Sequence, residues 1–255
     1  MFTSAPLIIG ATGGSGTRVV ARLVRHAGYS LGAHLNDAED ALEFGPFHDR
    51  WINLFLAAEH RQVKLPMTEA ERMIEDFRAV LARHLPAPTE DQVARWGWKA
   101  PRSIYLLAFF HAQFPGSKFI HVLRDGRDMA FSKNQNQLRK HGRAVLRWRE
   151  RWFHSEPVRS VLLWSRVNLG AAEFGETRLA ENYLAVRFED LCSSPVETTA
   201  RIMRFLQADL DAKAIAHAEI SPPSSIGRWQ KQPAALVSRL ERAAAVALRR
   251  FGYLK

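Results

Sequence analysis

The 255 residues are 47% hydrophobic and 24% charged, which allows a large core and excludes a disordered chain. Basic residues exceed acidic ones by ten, so an anionic partner is expected: nucleic acid, an anionic membrane surface or a polyphosphorylated small molecule. The single cysteine, Cys192, excludes an internal disulfide and a Cys-rich zinc site. No apolar run is long enough to span a bilayer, and the few residues before the first apolar run leave no room for a signal peptide, so the expectation is a cytoplasmic enzyme.

In chain order, Leu7, Ile8 and Ile9 read as a short strand. It runs into Gly10-Ala11-Thr12-Gly13-Gly14-Ser15-Gly16-Thr17-Arg18 and then a helix carrying Val19, Val20, Leu23 and Val24. Glycines let backbone amides turn inward, and the following helix offers unpaired N–H groups, so this turn suits a phosphate or sulfate. A nucleotide-hydrolysing P-loop needs Gly-Lys-[Ser/Thr] here, but Thr17 stands at the Lys position and Arg18 follows it. The loop therefore suits an anion other than a Mg-bound triphosphate.

The first helix ends near Gly28, and residues 29–32 form a small strand or extended link. The next stretch gathers His34, Asn36, Asp37, Glu39, Asp40 and Glu43, an acidic cluster in a basic protein. Residues 47–85 fit two helices broken around Pro66, with Thr68 and Glu71 spaced as a capping box and Pro86 and Pro88 ending the region. Residues 96–100 form a strand that stops at Pro101 with Lys99 near its end, and an apolar helix covers 104–114. Residues 118–123 are the strongest strand; Arg124-Asp125-Gly126-Arg127-Asp128 follows at once, opening a helix. Residues 135–153 read as a basic helical stretch whose Trp148 and Trp152 face the core, although interleaved cations and aromatics also suit anionic lipid or nucleic acid. A helix over 158–174, a strand over 183–188, a helix from Pro195 to Leu206 and a final helix from about Ala234 to Phe251 complete the chain. No repeat or linker marks a second domain, so one domain over 1–255 is expected. Strands alternating with helices predict a three-layer α/β fold with a central parallel sheet of about five strands flanked by helices. Ligands in such sheets bind at the carboxyl ends of strands, where the loop, Lys99 and Arg124 fall.

Four blocks in this order resemble the sulfotransferases that use 3′-phosphoadenosine 5′-phosphosulfate (PAPS), a family of P-loop-type fold. Ser15-Gly16-Thr17 resembles the family's 5′-phosphosulfate loop. Phe119 through Arg124 and on to Ser132 resembles the 3′-phosphate block. Trp98-Lys99-Ala100-Pro101-Arg102 resembles the Lys-x-Pro-Arg segment of the bacterial and tyrosylprotein branches. Leu184 to Leu191 with Pro195 resembles a further block that is mainly structural. The resemblance implies sulfuryl transfer from PAPS to a hydroxyl or amine, with no metal. It assigns donor binding to Gly13, Gly14, Ser15, Gly16, Thr17, Arg18, Arg124 and Ser132, and to Gly227, Arg228 and Trp229 as a segment closing over the nucleotide.

Many members carry Lys or Arg just before Ser-Gly-Thr, where this sequence has Gly14. Lys99 is the first candidate for the missing cation and Arg18 the second. For the general base, Asp37 and Asp40 fall where the tyrosylprotein branch has its Glu, with His34 as competitor. The acceptor is expected to be a small molecule, carbohydrate or lipid, bound by residues 33–61 and 135–156. Nucleic acid is not the expected partner, and peripheral membrane contact is compatible with the charge. Two other readings stay open. One is a P-loop kinase or nucleotide hydrolase in which Asp125 imitates a Walker B carboxylate; the other is a non-catalytic binder of nucleic acid or anionic membranes.

Overall fold

The computed structural model describes residues 4–85, 94–221, 223 and 225–255. Four parallel strands form the sheet, β1 (Leu7–Gly10), β2 (Gly97–Lys99), β3 (Lys118–Leu123) and β4 (Tyr183–Arg187), in the order β2-β1-β3-β4. About five strands were expected from the sequence. The link at residues 29–32 contributes only a bridge between Ser30 and Trp96, so it adds no fifth strand among the described residues.

Successive side chains of a strand point to opposite faces, and this alternation separates two cores. Ile8 and Phe119 face one way, into an aromatic layer with Phe44, Trp51, Phe77 and Trp98. Leu7, Ile9, Ile120 and Val122 face the other way, against Val20 and Val24 of α1 (Thr17–His26) and Ile202 of α10 (Pro195–Phe205). In the aromatic layer Trp98 stacks on Phe44, 4.6 Å between centroids, and meets Phe110 edge-on at 5.2 Å. Both geometries favour the ring quadrupoles.

The first layer is built by α2 (Phe44–His60), α3 (Met67–His84) and α4 (Leu107–Gln113), the last preceded by a 3-10 turn over Pro101–Leu106. The capping box expected at Thr68 and Glu71 does not form. Pro66 precedes the first turn of α3 and takes the cap position without a side-chain bond, which leaves Thr68 inside the helix. Pro86 and Pro88 lie outside the described residues.

Beyond β3 come α5 (Gly126–Ala130), α6 (Asn136–Val145), α7 (Trp148–Phe153) and α8 (Glu156–Phe174). The basic stretch expected as one helix is thus two, because Leu146 and Arg147 are both extended, with ψ of 142° and 152°. The break takes Trp148 and Trp152 out of the core where they were expected. They are 56% and 78% exposed. The remaining helices are α9 (Phe188–Ser193), α11 (Ala212–Glu219) and α12 (Ala234–Arg250). Trp164 of α8 packs with Leu240 and Leu248 of α12 in a third cluster.

His121, central in β3 and fully buried, joins the sheet to α8. Asn168 Nδ2 donates to Trp164 O at 2.6 Å, so its Oδ1 accepts from His121 Nε2 at 2.8 Å, while His121 Nδ1 accepts from the Tyr183 hydroxyl at 2.8 Å. The ring is thereby held neutral, and burial pushes its pKa from 6.5 down to about 4. Between these values the unfolded chain binds the proton and the folded one does not. Stability present above pH 6.5 is therefore lost as pH falls toward 4, by about 3 kcal/mol from this residue. Denaturation midpoints measured across this window should fall with acid, and His121→Gln should reduce the slope by up to one proton.

Candidate active site

The carboxyl ends of β1, β2 and β3 open into a cavity of about 690 Å³. Its floor is the glycine loop. Ser15 Oγ donates to Thr12 O at 2.5 Å, Ala11 N to Pro101 O at 3.0 Å, and Gln137 Nε2 to Ala11 O at 3.2 Å, so the loop is pinned from three sides. Gly14 and Gly16 have φ of 78° and 80°. At Gly16 the need for glycine is twofold, since a Cβ there would also lie 2.2 Å from the Phe188 ring. Gly16 caps α1 without a side-chain bond, and the first turn holds Arg18 and no acid. The first turn of this helix therefore carries no acid of its own to meet its positive end.

Arg124 leaves the end of β3 and is buried beside the loop. Its guanidinium donates to Gly14 O at 3.2 Å, to Ser225 O at 2.7 Å and to Ser225 Oγ at 3.0 Å, and its Nε has no partner. A buried donor without an acceptor costs about 1 to 3 kcal/mol, so this atom suits an incoming anion. Ser132 stands close by, its Oγ 3.6 Å from where a Gly14 Cβ would be. Asp128 anchors the segment above: Gly227 N donates to its Oδ2 at 2.8 Å and Trp229 N to its Oδ1 at 3.1 Å. The Trp229 ring lies under the Arg127 guanidinium at 3.7 Å, and Arg228 Nε donates to Ser225 O at 3.2 Å. These last residues pack behind Arg124, and the cavity wall on that side is formed by Ser225 and Pro223.

Lys99 ends β2, 1% exposed yet lining the cavity. Its ammonium donates to Ala38 O at 2.6 Å and pairs with Asp40. Burial lowers its proton affinity, and Asp40 opposes that shift. The loop that carries Asp40 is closed by a bridge between Leu35 and Ala41 and by Asn36 Oδ1, which accepts from Ala38 N and Asp40 N at 2.9 Å each. This closure divides the acidic cluster. Glu39 turns to Arg22 at 3.0 Å, Glu43 to His34 at 2.7 Å, and only Asp40 turns to Lys99.

Of the residues singled out in the sequence, the cavity brings together Gly13 to Arg18, Asp40, Lys99 and Arg124. Asp37 and His34 are exposed and do not line it. Asp125 is turned away as well. It caps α5 by accepting from Arg127 N at 2.9 Å and pairs with the Arg127 guanidinium at 2.8 Å, which occupies the carboxylate that would imitate Walker B. Among the described residues no cluster of His, Cys, Asp and Glu has the form of a metal site.

The cavity is also lined by His48, which the sequence did not mark, and by Arg102, which it marked only as the end of the Lys-x-Pro-Arg segment. Trp98 Nε1 donates to Ser103 Oγ at 2.9 Å, so the hydroxyl can donate onward to His48 Nε2 at 3.3 Å. Burial first, then Arg102 and His141, push the His48 pKa well below its usual value, and it is neutral. Arg102 pairs with Asp49 and donates to Gly45 O at 3.1 Å. His48 sits one turn after Phe44 on the core face of α2, a spacing shared with ordinary apolar positions; only Arg102 had a visible signal, as the last residue of Lys-Ala-Pro-Arg.

The sequence model described as "Sulfotransferase family" matches residues 6–212. Among solved structures, the sulfotransferase domain from the curacin biosynthetic pathway aligns over 100% of both chains at TM-score 0.54 and 12% identity. The sulfotransferase domain of the Synechococcus PCC 7002 olefin synthase aligns over 95% of each at 0.52 and 16%. Sulfotransferase STF9 from Mycobacterium avium aligns over 99% of this chain and 78% of its own at 0.54 and 14%. At these identities the likeness is one of fold. No curated protein matches the chain by sequence.

Gly16→Ala should lose about 3 kcal/mol from left-handed strain and the Phe188 clash combined. Gly170→Ala, in mid-α8 where a Cβ meets nothing within 4 Å, should instead gain about 0.5 to 1 kcal/mol. Urea midpoints of the two variants decide it, and equal shifts would contradict the account of the loop.

Proposed function

The chain belongs to the sulfotransferase family, and we propose that it moves a sulfuryl group from PAPS to a hydroxyl or amine of an acceptor. The observation that carries this reading is the joining of the glycine loop, Arg124 and Lys99 around one cavity. PAPS, when bound, supplies a sulfuryl group already activated on a phosphate leaving group.

In this reading the amides of Gly13 to Thr17 and the free end of α1 hold the 5′-phosphosulfate. Arg124, with its unpartnered Nε, and Ser132 hold the 3′-phosphate, a planar guanidinium being suited to two oxygens of a dianion. Arg124 must then exchange some of its bonds to Ser225, so the segment through Gly227, Arg228 and Trp229 moves with nucleotide binding.

Lys99 stands in for the loop cation that Gly14 does not supply, and stabilises charge growing on the bridging oxygen. Burial lowers the proton affinity of the Lys99 ammonium, and its pairing with Asp40 opposes that shift. Arg18, exposed on the first turn of α1, faces the 5′ end of the donor from outside. Asp40 is the carboxylate of the cavity nearest to Lys99 and takes the proton of the acceptor hydroxyl or amine. Asp37 and His34, outside the cavity wall, are left with a part in shaping the loop.

Adenosine 3′,5′-bisphosphate, the product nucleotide, should stabilise the protein by about 2.7 kcal/mol at a hundred times its Kd, read as a rise in Tm. Arg124→Gln should weaken that binding about tenfold or more. A rise in Tm with ATP and Mg but not with the bisphosphate would favour the kinase or hydrolase reading instead.

A further inference from the structure

We propose that α7 is a docking element that seats the protein on an anionic lipid bilayer. The proposal is independent of the donor-site reading. None of the six residues of α7 is buried. Trp148, Trp152 and Phe153 are 56%, 78% and 73% exposed, and the Trp148 and Phe153 rings meet edge-to-face at 6.3 Å. Trp148 and Trp152, four apart, share one side of the helix. Three large rings in six residues form an exposed apolar cluster that a soluble surface rarely carries without use.

Their surroundings select the partner by charge. Arg143, Arg147 and Arg149 are exposed around the rings, and the Arg149 guanidinium lies over Trp148 at 5.5 Å. Between residues 139 and 155 the one acid is Glu150. Its carboxylate is turned into the body, bonded to Arg166 at 2.5 and 2.7 Å and to the Arg147 amide at 2.8 Å. The outward side of this segment is thus cationic and aromatic. Indole rings settle at the headgroup level of a bilayer, and arginines beside them meet anionic headgroups. Bases stacking along a single strand need rings spaced along a track; here the rings are gathered at one point, which favours the bilayer over nucleic acid. The helix α6 begins with Asn136 and Gln137 at the cavity and ends beside α7. Its ten residues rise about 15 Å, so docking through α7 would hold the cavity close to the lipid surface.

The test is co-sedimentation of the full chain with phosphatidylcholine vesicles, with and without phosphatidylserine, read together with tryptophan emission. We expect binding about tenfold or more stronger with phosphatidylserine, weakened by salt and accompanied by a blue shift. Trp148→Ser with Trp152→Ser should weaken binding about tenfold and abolish the shift at unchanged Tm, and Arg147→Gln with Arg149→Gln should weaken it without abolishing the shift. Quenching by bromine-labelled lipid in the unsubstituted protein gives the same answer should a variant fold poorly. No binding, or binding indifferent to the tryptophans, would overturn the proposal. So would duplex or single-stranded DNA bound more tightly through the same residues, or loss of self-association as the sole effect of the substitutions.

Discussion

Arg124 carries a charge into a place where water scarcely reaches it, and the carboxyl edge of the sheet is arranged around that fact. A buried cation is tolerated only where dipoles or counter-charges surround it. Here they come from separate parts of the chain: the carbonyl of Gly14, the carbonyl and hydroxyl of Ser225, the face of Phe188 at 5.3 Å, and Asp128 at 3.6 Å. Asp128 in turn takes the amides of Gly227 and Trp229. One guanidinium therefore ties the glycine loop, the turn after β3 and the 225–229 segment together. Phe188, which stacks on it, is the ring that forbids a side chain at Gly16.

The sheet order explains why a second buried cation stands opposite. β1 runs into the glycine loop, and of its neighbours β2 ends in Lys99 and β3 is followed at once by Arg124. Adjacent strands are about 4.8 Å apart, and the register sets Lys99 level with Ile120, four residues before Arg124, so the two cations leave the backbone on the order of 15 Å from each other with the loop between them. An anion with charge at two ends fits that spacing better than a compact one. Asp40 pairs with one of the cations, and the closed loop from Leu35 to Ala41 is what delivers Asp40 there.

Much of this was legible in the residues themselves. Glycines in a strand-to-helix turn, Lys99 before Pro101 and Arg124 directly after a β-run each depend on local pattern, and pattern survives folding. What failed to show depended on contacts far apart in sequence. His48 reaches the cavity because α2 packs across the 3-10 turn at Ser103, and nothing near residue 48 announces it. Asp37, Asp40 and His34 are equivalent in composition; the antiparallel bridge at Leu35 and Ala41 separates them. Trp148 and Trp152 have the helical spacing of core residues, and two extended residues at 146 and 147 were enough to put them in solvent. Thr68 and Glu71 had the spacing of a cap, yet Pro66 set the start of the helix.

The role proposed for Lys99 lies in the transfer step and not in the binding of the donor. Slow hydrolysis of PAPS to sulfate by the enzyme, which requires no knowledge of the acceptor, isolates that step when measured beside bisphosphate affinity in Lys99→Met. The rate should fall about 10² to 10³-fold, with the bisphosphate Kd changed by no more than about threefold and the fold intact by Tm. An unchanged hydrolysis rate, or a loss of nucleotide binding equal to the loss of rate, would contradict it.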